Sequence, residues 1–491
     1  MRTFVRTEER SDDRRRRRPG GVTSEARNQS CPGYQYPRNQ SAVRVCGGSL
    51  AFSIWGQVRQ LAAKTPDERN RYVDFLRAIS ILVVIVGHWL IATSWYVDGD
   101  LQSGHLLKSH PQTQWLTLLF QVMPIFFIVG GYSNAVSLES ARRNNIDYGG
   151  WLVTRLNRLV APLLVLIVAW AVLGVLMGFL GADAETIQFA SQASLIPTWF
   201  LAIYIMVVIL APWTYRLWRR YGYASFWGFA VIACIVDILF FVADLRWLGW
   251  SNYFWVWLSV HHLGYAWRDG RLGGPARLLG FSALGLAALA IAILEGPYPL
   301  AMVGSPDEGL SNTLPPKATL LALAIFQFGL LLSLEKPMRR VLSNLNLWTA
   351  TVLINTMIMT VYLWHITVMI ILIAVLVLAG GVGLGLEPGT STWWASRPIW
   401  ILALIGLLTP VALLMSPLER RPRSASAGVP SPVRQIAGAI MLCLGISLLA
   451  MYGYGGGPVA NLDVMSFVLV IVGAGTSGLL PSFSRKSAEQ D

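Results

Sequence analysis

Three ionisable residues stand inside the first long apolar segment, Arg71 to Leu90, after the Arg71 and Tyr72 that begin it. Asp74, Arg77 and His88 are separated by three and eleven positions. At about 100° per residue, these steps place the three side chains on one stripe of a helix. An ionised side chain in a bilayer costs about 2.5 to 3.5 kcal/mol on insertion scales, so it is seldom kept without a partner or a role. The stripe therefore predicts a functional site.

The residue types indicate the chemistry of this stripe. Arg77 is permanently charged and can hold a phosphate or a carboxylate through two parallel hydrogen bonds. His88 titrates near neutral pH when unperturbed, which makes it the natural proton acceptor. A hydrogen-bonded packing role is an equal alternative for His88 on spacing alone. Asp74, one helical turn from Arg77, can orient the guanidinium or balance its charge.

The composition predicts that membrane helices position these residues. The chain has 491 residues, of which 54% are hydrophobic and only 13% charged, and it contains 20 tryptophans. Apolar runs close to the length that crosses a bilayer recur throughout. We predict an all-α, polytopic integral membrane bundle of about twelve helices, made of a ten-helix core and two C-terminal helices. The predicted spans lie near 76–95, 114–137, 158–180, 197–215, 223–243, 250–267, 277–295, 318–334, 350–378, 398–416, 435–452 and 464–481.

The charges of the connecting loops predict an orientation. Alternate loops are rich in arginine, as in the pair Arg219 and Arg220, and the loops between them carry acidic residues such as Asp183 and Glu185. This alternation follows the positive-inside rule and places both termini in the cytoplasm of a multi-pass protein of the plasma (inner) membrane. Arg77 then lies near the inner surface, with His88 about 16 Å deeper.

The chain divides into five predicted segments. Residues 1–50 form a disordered basic cytoplasmic tail, whose alternative role is binding to lipid headgroups. Residues 51–70 form an amphipathic interfacial segment, residues 71–418 the main membrane domain, and residues 419–435 a cytoplasmic linker. Residues 436–491 hold two additional transmembrane helices and a short tail. The net charge of +13 is explained by the tail and the inner loops, so no nucleic-acid partner is predicted.

Four stretches carry a resemblance to a known family. Asp74, Arg77 and His88 match the opening motif of the membrane-bound acyltransferase-3 family, in which ten residues separate an arginine from a histidine. MPIFFIVGGY (123–132), PTWFLAIY (197–204) and VYLWHITV (361–368) are similar to further motifs of that family and occur in the same order. Gly130 departs from the pattern, because many members have serine there and glycine cannot supply a hydroxyl group.

The resemblance implies an O-acyltransferase. Family members transfer an acyl group, often acetyl, from a cytoplasmic acyl-CoA co-substrate to a hydroxyl of a sugar, a glycolipid or another cell-envelope acceptor. No permanently bound cofactor is expected. Arg77 and His88 are the essential pair that the family implies, with Asp74 beside them. Either His88 takes a proton from the acceptor in a direct transfer, or it forms a covalent acyl intermediate, and the sequence leaves both open.

Other residues are weaker candidates for binding the donor or the acceptor. Each has a structural alternative: membrane anchoring for the arginines, close helix packing for the glycine, and interface or core packing for the aromatic residues and histidines. The side chains of the adjacent residues His261 and His262 point about 100° apart on a helix, so at most one of them faces the site. The candidates are Arg155, Arg158, Phe126, Phe127, Gly131, Trp199, Tyr204, His261, His262 and His365.

Several other functions lack support in the sequence. His105 and His110 have no third ligand at a suitable spacing, so no metal site is predicted. P-loop, G-x-S-x-G and H-E-x-x-H motifs are absent, which removes support for nucleotide hydrolysis, serine hydrolysis and metalloproteolysis. A transporter or exporter of an envelope precursor or small molecule is the competing class, because about twelve helices suit it as well. The oligomeric state, the acceptor and the acyl chain length are not predicted.

Overall fold

The computed structural model describes residues 50–66, 68–304, 309–419, 428–454 and 464–480. Residues 1–49 of the predicted basic tail, residues 420–427 of the predicted linker and the C-terminal tail from residue 481 lie outside the described residues. Of the residues that the structure describes, 78% are helical and very few lie in strands, which confirms the predicted helical class. In chain order the elements are α1 (Leu50–Ala63), α2 (Arg71–Ile91), β1 (Ala92–Val97), β2 (Asp100–His105), α3 (Leu106–Ser109), α4 (Thr117–Phe120), α5 (Met123–Arg143), α6 (Tyr148–Phe179), α7 (Ala184–Leu195), α8 (Thr198–Tyr221), α9 (Tyr223–Val242), α10 (Asn252–Arg268), α11 (Pro275–Leu294), α12 (Thr319–Ser333), α13 (Glu335–Val341), α14 (Leu345–Thr356), α15 (Ile358–Leu378), α16 (Ser391–Glu419), α17 (Pro432–Tyr452) and α18 (Val464–Thr476).

Every predicted membrane span corresponds to a helix, but not all are long enough to cross a bilayer. Among the described residues, nine helices are long and apolar enough, or ten if the bent pair of α12 and α13 forms one span. The helices α10 and α18 have 17 and 13 residues. The predicted span 350–378 is divided between α14 and α15. The count of twelve and the orientation of the termini therefore stay predictions.

Helix α2 carries the polar stripe and has well-defined ends. At its start, the side chain of Asn70 accepts a hydrogen bond from the backbone N–H of Tyr72, which satisfies one of the free N–H groups of the first turn. At its end the chain enters an antiparallel hairpin of β1 and β2. Asp98 and Gly99 form its two-residue turn with positive φ angles, as tight hairpins require. This hairpin was not predicted from the sequence.

Helices α5 and α10 pack closely along each other. A Cβ atom on Gly131 would lie 2.1 Å from the backbone oxygen of His261, and one on Gly264 would lie 2.1 Å from that of Ile128. Only glycine permits this approach of two helix backbones. The crossing fixes α10 against α5, and α5 in turn packs against α2.

The loop that precedes α12 contains a buried charged cluster. Lys317 is fully buried, and its Nζ atom lies 3.2 Å from the ring centre of Phe240. Nearby, the carboxylate of Asp237 accepts hydrogen bonds from the Tyr298 hydroxyl (3.0 Å) and the backbone N–H of Ala318 (2.7 Å). These contacts join the loop to α9.

The C-terminal helices α17 and α18 pair with each other, and α17 packs on α6, α7 and α8. Polar contacts accompany this packing. The Gln435 side chain donates to the backbone oxygen of Gly149 (3.1 Å), and Gln192 donates to that of Met451 (2.7 Å). The buried Tyr454 hydroxyl donates to the Ile167 oxygen on α6 (3.3 Å). Within the described residues, α17 is part of the same packed bundle as the helices of the site.

Candidate active site

His88 and His365 form a hydrogen-bonded pair. The Nδ1 atom of His88 lies 2.8 Å from the Nε2 atom of His365, and the two rings are nearly parallel at 12°. His365 is fully buried, whereas His88 is partly exposed. The second histidine, 277 positions along the chain, therefore lies behind the first.

The contacts of His365 determine which nitrogen atoms carry protons when the pair is neutral. Its Nδ1 atom lies 2.5 Å from the backbone oxygen of Tyr362. A carbonyl oxygen only accepts, so Nδ1 of His365 carries the hydrogen and Nε2 is left as an acceptor. His88 must then donate from Nδ1, and its Nε2 atom keeps a lone pair. This is the arrangement of a general base held by a second residue.

Other contacts fix helix α15 beside α2. The indole N–H of Trp89 donates to the backbone oxygen of His365 (3.0 Å). The hydroxyl of Tyr362 donates to the Pro197 oxygen (2.8 Å), and Trp170 donates to the hydroxyl of Thr367 (3.0 Å). The orientation of the histidine pair is thus set by α2, α6 and the start of α8.

Arg77 lies near the other end of the same stripe, about 16 Å away along the helix. Its guanidinium donates to the Asp74 carboxylate (3.0 Å) and to the hydroxyl of Ser133 (2.6 Å). Asp74 is shared, because Arg69 donates to its other oxygen (2.6 Å). The predicted proximity of Asp74 and Arg77 is confirmed, because the two side chains form an ion pair. The side chain of Arg77 is 27% exposed. One carboxylate thus faces two guanidinium groups, which leaves net positive charge.

Arg155 joins this positive region from α6. It donates to the backbone oxygen of Ser133 (3.1 Å), and its buried Nε has no hydrogen-bond partner among the described residues. Arg77, Arg158 and Tyr204 all lie within electrostatic range of Arg155. Arg158 is exposed. Such a cluster of guanidinium groups is suited to a ligand with several negative charges.

Aromatic rings connect the histidine pair to the arginine cluster. The ring centres of His365 and Tyr362 are 6.0 Å apart, those of Tyr362 and Phe200 are 6.0 Å apart, and those of Phe200 and Tyr204 are 5.7 Å apart. Phe126 lies 4.8 Å from Phe200, edge to face. The two polar ends of the site are therefore joined by an apolar, aromatic region.

The remaining predicted residues pack around this region. Phe127 is buried and stacks on Trp257 of α10 (4.3 Å). Trp199 contacts Phe200 edge to face. Gly131 contacts the backbone of α10, so the space beside it is filled by a helix. The ligand-binding role predicted for these residues stays a prediction.

The two adjacent histidines of α10 point to different neighbours, as expected. Nε2 of His261 lies 3.1 Å from the side-chain nitrogen of Asn134 on α5. Asn134 also interacts with Tyr204, which connects His261 to the edge of the arginine cluster. His262 hydrogen-bonds through Nδ1 to the Leu258 oxygen (2.7 Å). Of the two, His261 is the one on the side of the site.

Two residues that contact the predicted site residues were not predicted from the sequence. Ser133 binds Arg77 and Asn134 binds His261, and both follow the matched segment 123–132 directly. Gly130 also has a structural explanation, because a Cβ atom there would lie 2.8 Å from the Tyr204 ring. A side chain at that position would displace the tyrosine.

The helices define a polytopic membrane protein, and the polar residues described above cluster inside its bundle. The profile of the acyltransferase domain of the acyltransferase-3 family matches residues 70–417, well over half of the chain. The chain belongs to this family and is a membrane acyltransferase. Comparisons with curated proteins and with solved structures gave no match. The matched range includes every predicted site residue.

Proposed function

We propose that this protein transfers an acyl group, in the simplest case acetyl, from a cytoplasmic acyl-CoA to a hydroxyl group of a sugar, a glycolipid or another cell-envelope acceptor in the plasma membrane. The observation that carries the proposal is the pairing of His88 with His365. It fixes Nε2 as the nitrogen of His88 that keeps a lone pair, on the same helix that contributes Arg77 to the arginine cluster.

The two ends of the site fit the two ends of an acyl-CoA. Arg77, Arg155 and Arg158 supply the positive charge that the phosphates of coenzyme A require. The aromatic region around Phe126, Phe200 and Tyr204 suits the uncharged arm that connects the phosphates to the thioester. The distance of about 16 Å along α2 then separates charge recognition from the reaction.

The proposed reaction is a direct transfer. The acceptor hydroxyl gives its proton to Nε2 of His88 as its oxygen attacks the thioester carbonyl. The new carbon–oxygen bond forms, the carbon–sulfur bond breaks, and the proton passes from His88 to the departing thiolate. His365 stabilises the transient imidazolium, because its Nε2 atom accepts the hydrogen on Nδ1 of His88. A positioned base of this kind accelerates reactions about 10²- to 10⁴-fold.

Transfer of radiolabel from [14C]acetyl-CoA in membranes tests this function. Membranes that contain the wild type are expected to label a lipid or glycan, and His88→Ala and Arg77→Ala membranes with equal protein content are expected not to. His110→Ala is the matched control, because its ring lies against Gly389 outside the site. Full transfer by well-expressed His88→Ala would refute the mechanism, and substrate flux that needs no acyl donor would favour a transporter. Labelled protein trapped in the absence of acceptor would favour the covalent acyl-His88 route.

A further inference from the structure

The hairpin of β1 and β2 brings a third histidine to the site. Ala92 follows directly after α2, and its backbone N–H donates to the oxygen of His88. In the hairpin register, Ala92 is the Cα partner of His105. His105 therefore lies about one helical turn beyond His88, on the side away from Arg77. The two histidines are within electrostatic range of each other.

The hairpin is held in a fixed position. The backbone N–H of Tyr96 donates to the oxygen of Leu384 (2.8 Å). The Tyr96 ring also packs on Gly381, where a Cβ atom would lie 2.4 Å away. These contacts join β1 to the connection between α15 and α16, and α15 carries His365. The position of His105 is thus tied to α2 and α15, the two helices that carry the histidine pair.

His105 differs from the rest of its strand in exposure. Residues 100–104 of β2 are exposed, whereas His105 is half-buried. Its side chain is therefore partly covered, unlike those of the residues that precede it on β2. An imidazole in this position can donate or accept a hydrogen bond. It can therefore form a hydrogen bond with an uncharged hydroxyl group that approaches from the side of the hairpin.

We propose that His105 binds the acceptor hydroxyl beside His88, and that the hairpin is the acceptor-binding wall of the site. This inference rests on the proposed function. His88 takes the proton, while His105 holds the oxygen of the same hydroxyl group in line with the thioester. The chemical class of ligand is a polyol, such as a sugar or a sugar-bearing lipid. Exposed polar residues on the hairpin, Gln102 and Ser103, are available to its other hydroxyl groups.

Steady-state kinetics of the purified full chain in detergent test the role of His105. The donor is [14C]acetyl-CoA, and the acceptor probe is the total envelope lipid and glycan extract of cells that lack the protein. His105→Phe keeps a ring but removes both hydrogen-bonding atoms. We expect the amount of extract needed for half-maximal transfer to rise about tenfold, with the acetyl-CoA requirement unchanged. His105→Gln, which can still donate and accept, is expected to recover part of the loss.

The outcomes separate the role of His105 from the proposed function. His110→Phe is the matched control on the same outer segment and is expected to behave as wild type. If His105→Phe has a wild-type dependence on extract, or changes the acetyl-CoA requirement instead, the inference is overturned. If His105→Phe does not fold, His105→Leu, which also lacks hydrogen-bonding atoms, decides by the same rule. Absence of any transfer by the wild type refutes the proposed function itself.

Discussion

Replacement of His365 by leucine tests the proton assignment of the histidine pair. His365→Leu keeps the site filled and apolar but removes the acceptor for the hydrogen on Nδ1 of His88. Hydrogen bonds to charged groups contribute about 1.5 to 3 kcal/mol, and the imidazolium of the transition state makes this bond. Since each 1.36 kcal/mol changes a rate tenfold, we expect kcat to fall about 10- to 150-fold.

The assay is the rate of acetyl transfer at saturating donor and acceptor, with the donor KM measured separately. The donor KM is expected to stay constant, because His365 lies at the end of the site away from the arginines. Ser282→Ala is the matched control: it removes a hydrogen bond from the buried Ser282 on α11 to the Phe326 oxygen on α12 (2.9 Å), between two helices that do not carry the histidine pair. The reasoning is refuted if His365→Leu turns over at the wild-type rate, or if Ser282→Ala loses as much activity.

Three further predictions concern binding, packing and pH. Arg155→Ala is expected to raise the donor KM about 10- to 100-fold with little change in kcat, because one charged contact to a phosphate is lost; titration with acetyl-CoA measures this. Gly131→Ala places a Cβ atom 2.1 Å from a backbone oxygen of α10, so we expect it to lower the free energy of unfolding by about 1 to 3 kcal/mol. Unfolding in detergent measures this, with Gly228→Ala as the control because nothing lies within 4 Å of a Cβ atom there. Burial lowers the pKa of Lys317 to about 8 from 10.5, against the opposing attraction of Asp237. Between pH 8 and 10.5 the unfolded chain therefore binds more protons than the folded chain, so the free energy of unfolding rises with pH. We expect this rise to be about 3 kcal/mol larger in the wild type than in Lys317→Met.

Each of these predictions has a result that contradicts it. An unchanged donor KM in Arg155→Ala removes this residue from the donor site. Equal stability of Gly131→Ala and Gly228→Ala shows that α5 and α10 tolerate a wider separation. Parallel pH profiles of wild type and Lys317→Met between pH 8 and 10.5 show that this ammonium group is not desolvated in the folded chain.

Local periodicity was enough to predict the polar stripe, because Asp74, Arg77 and His88 lie on one helix whose geometry is known. The partner of His88 was beyond that reasoning. His365 was a candidate, but a contact across 277 positions depends on how α2 and α15 pack, and no periodicity within either helix encodes that. The same holds for Ser133, whose contact with Arg77 requires the packing of α5 on α2.

The hairpin is a different case, because the sequence contained a signal for it. The predicted first span ended near residue 95, since its apolar residues continue past α2 into β1. The dipeptide Asp98-Gly99 is typical of a two-residue hairpin turn, and it lies midway between the strands. A hydropathy pattern cannot distinguish the end of a membrane helix from the first strand of such a hairpin, whereas turn chemistry can.

The packing of α17 against α6, α7 and α8 has a practical consequence for work with fragments. The family match ends at residue 417, so a minimal expression fragment drawn from the match alone would omit α17. Such a fragment would expose the face of α8 that α17 covers, and α8 also carries Tyr204. Gly149 and Ile167 on α6 would each lose a hydrogen bond from the missing segment. For this chain, the unit to purify and reconstitute is set by helix contacts and is longer than the unit set by sequence similarity.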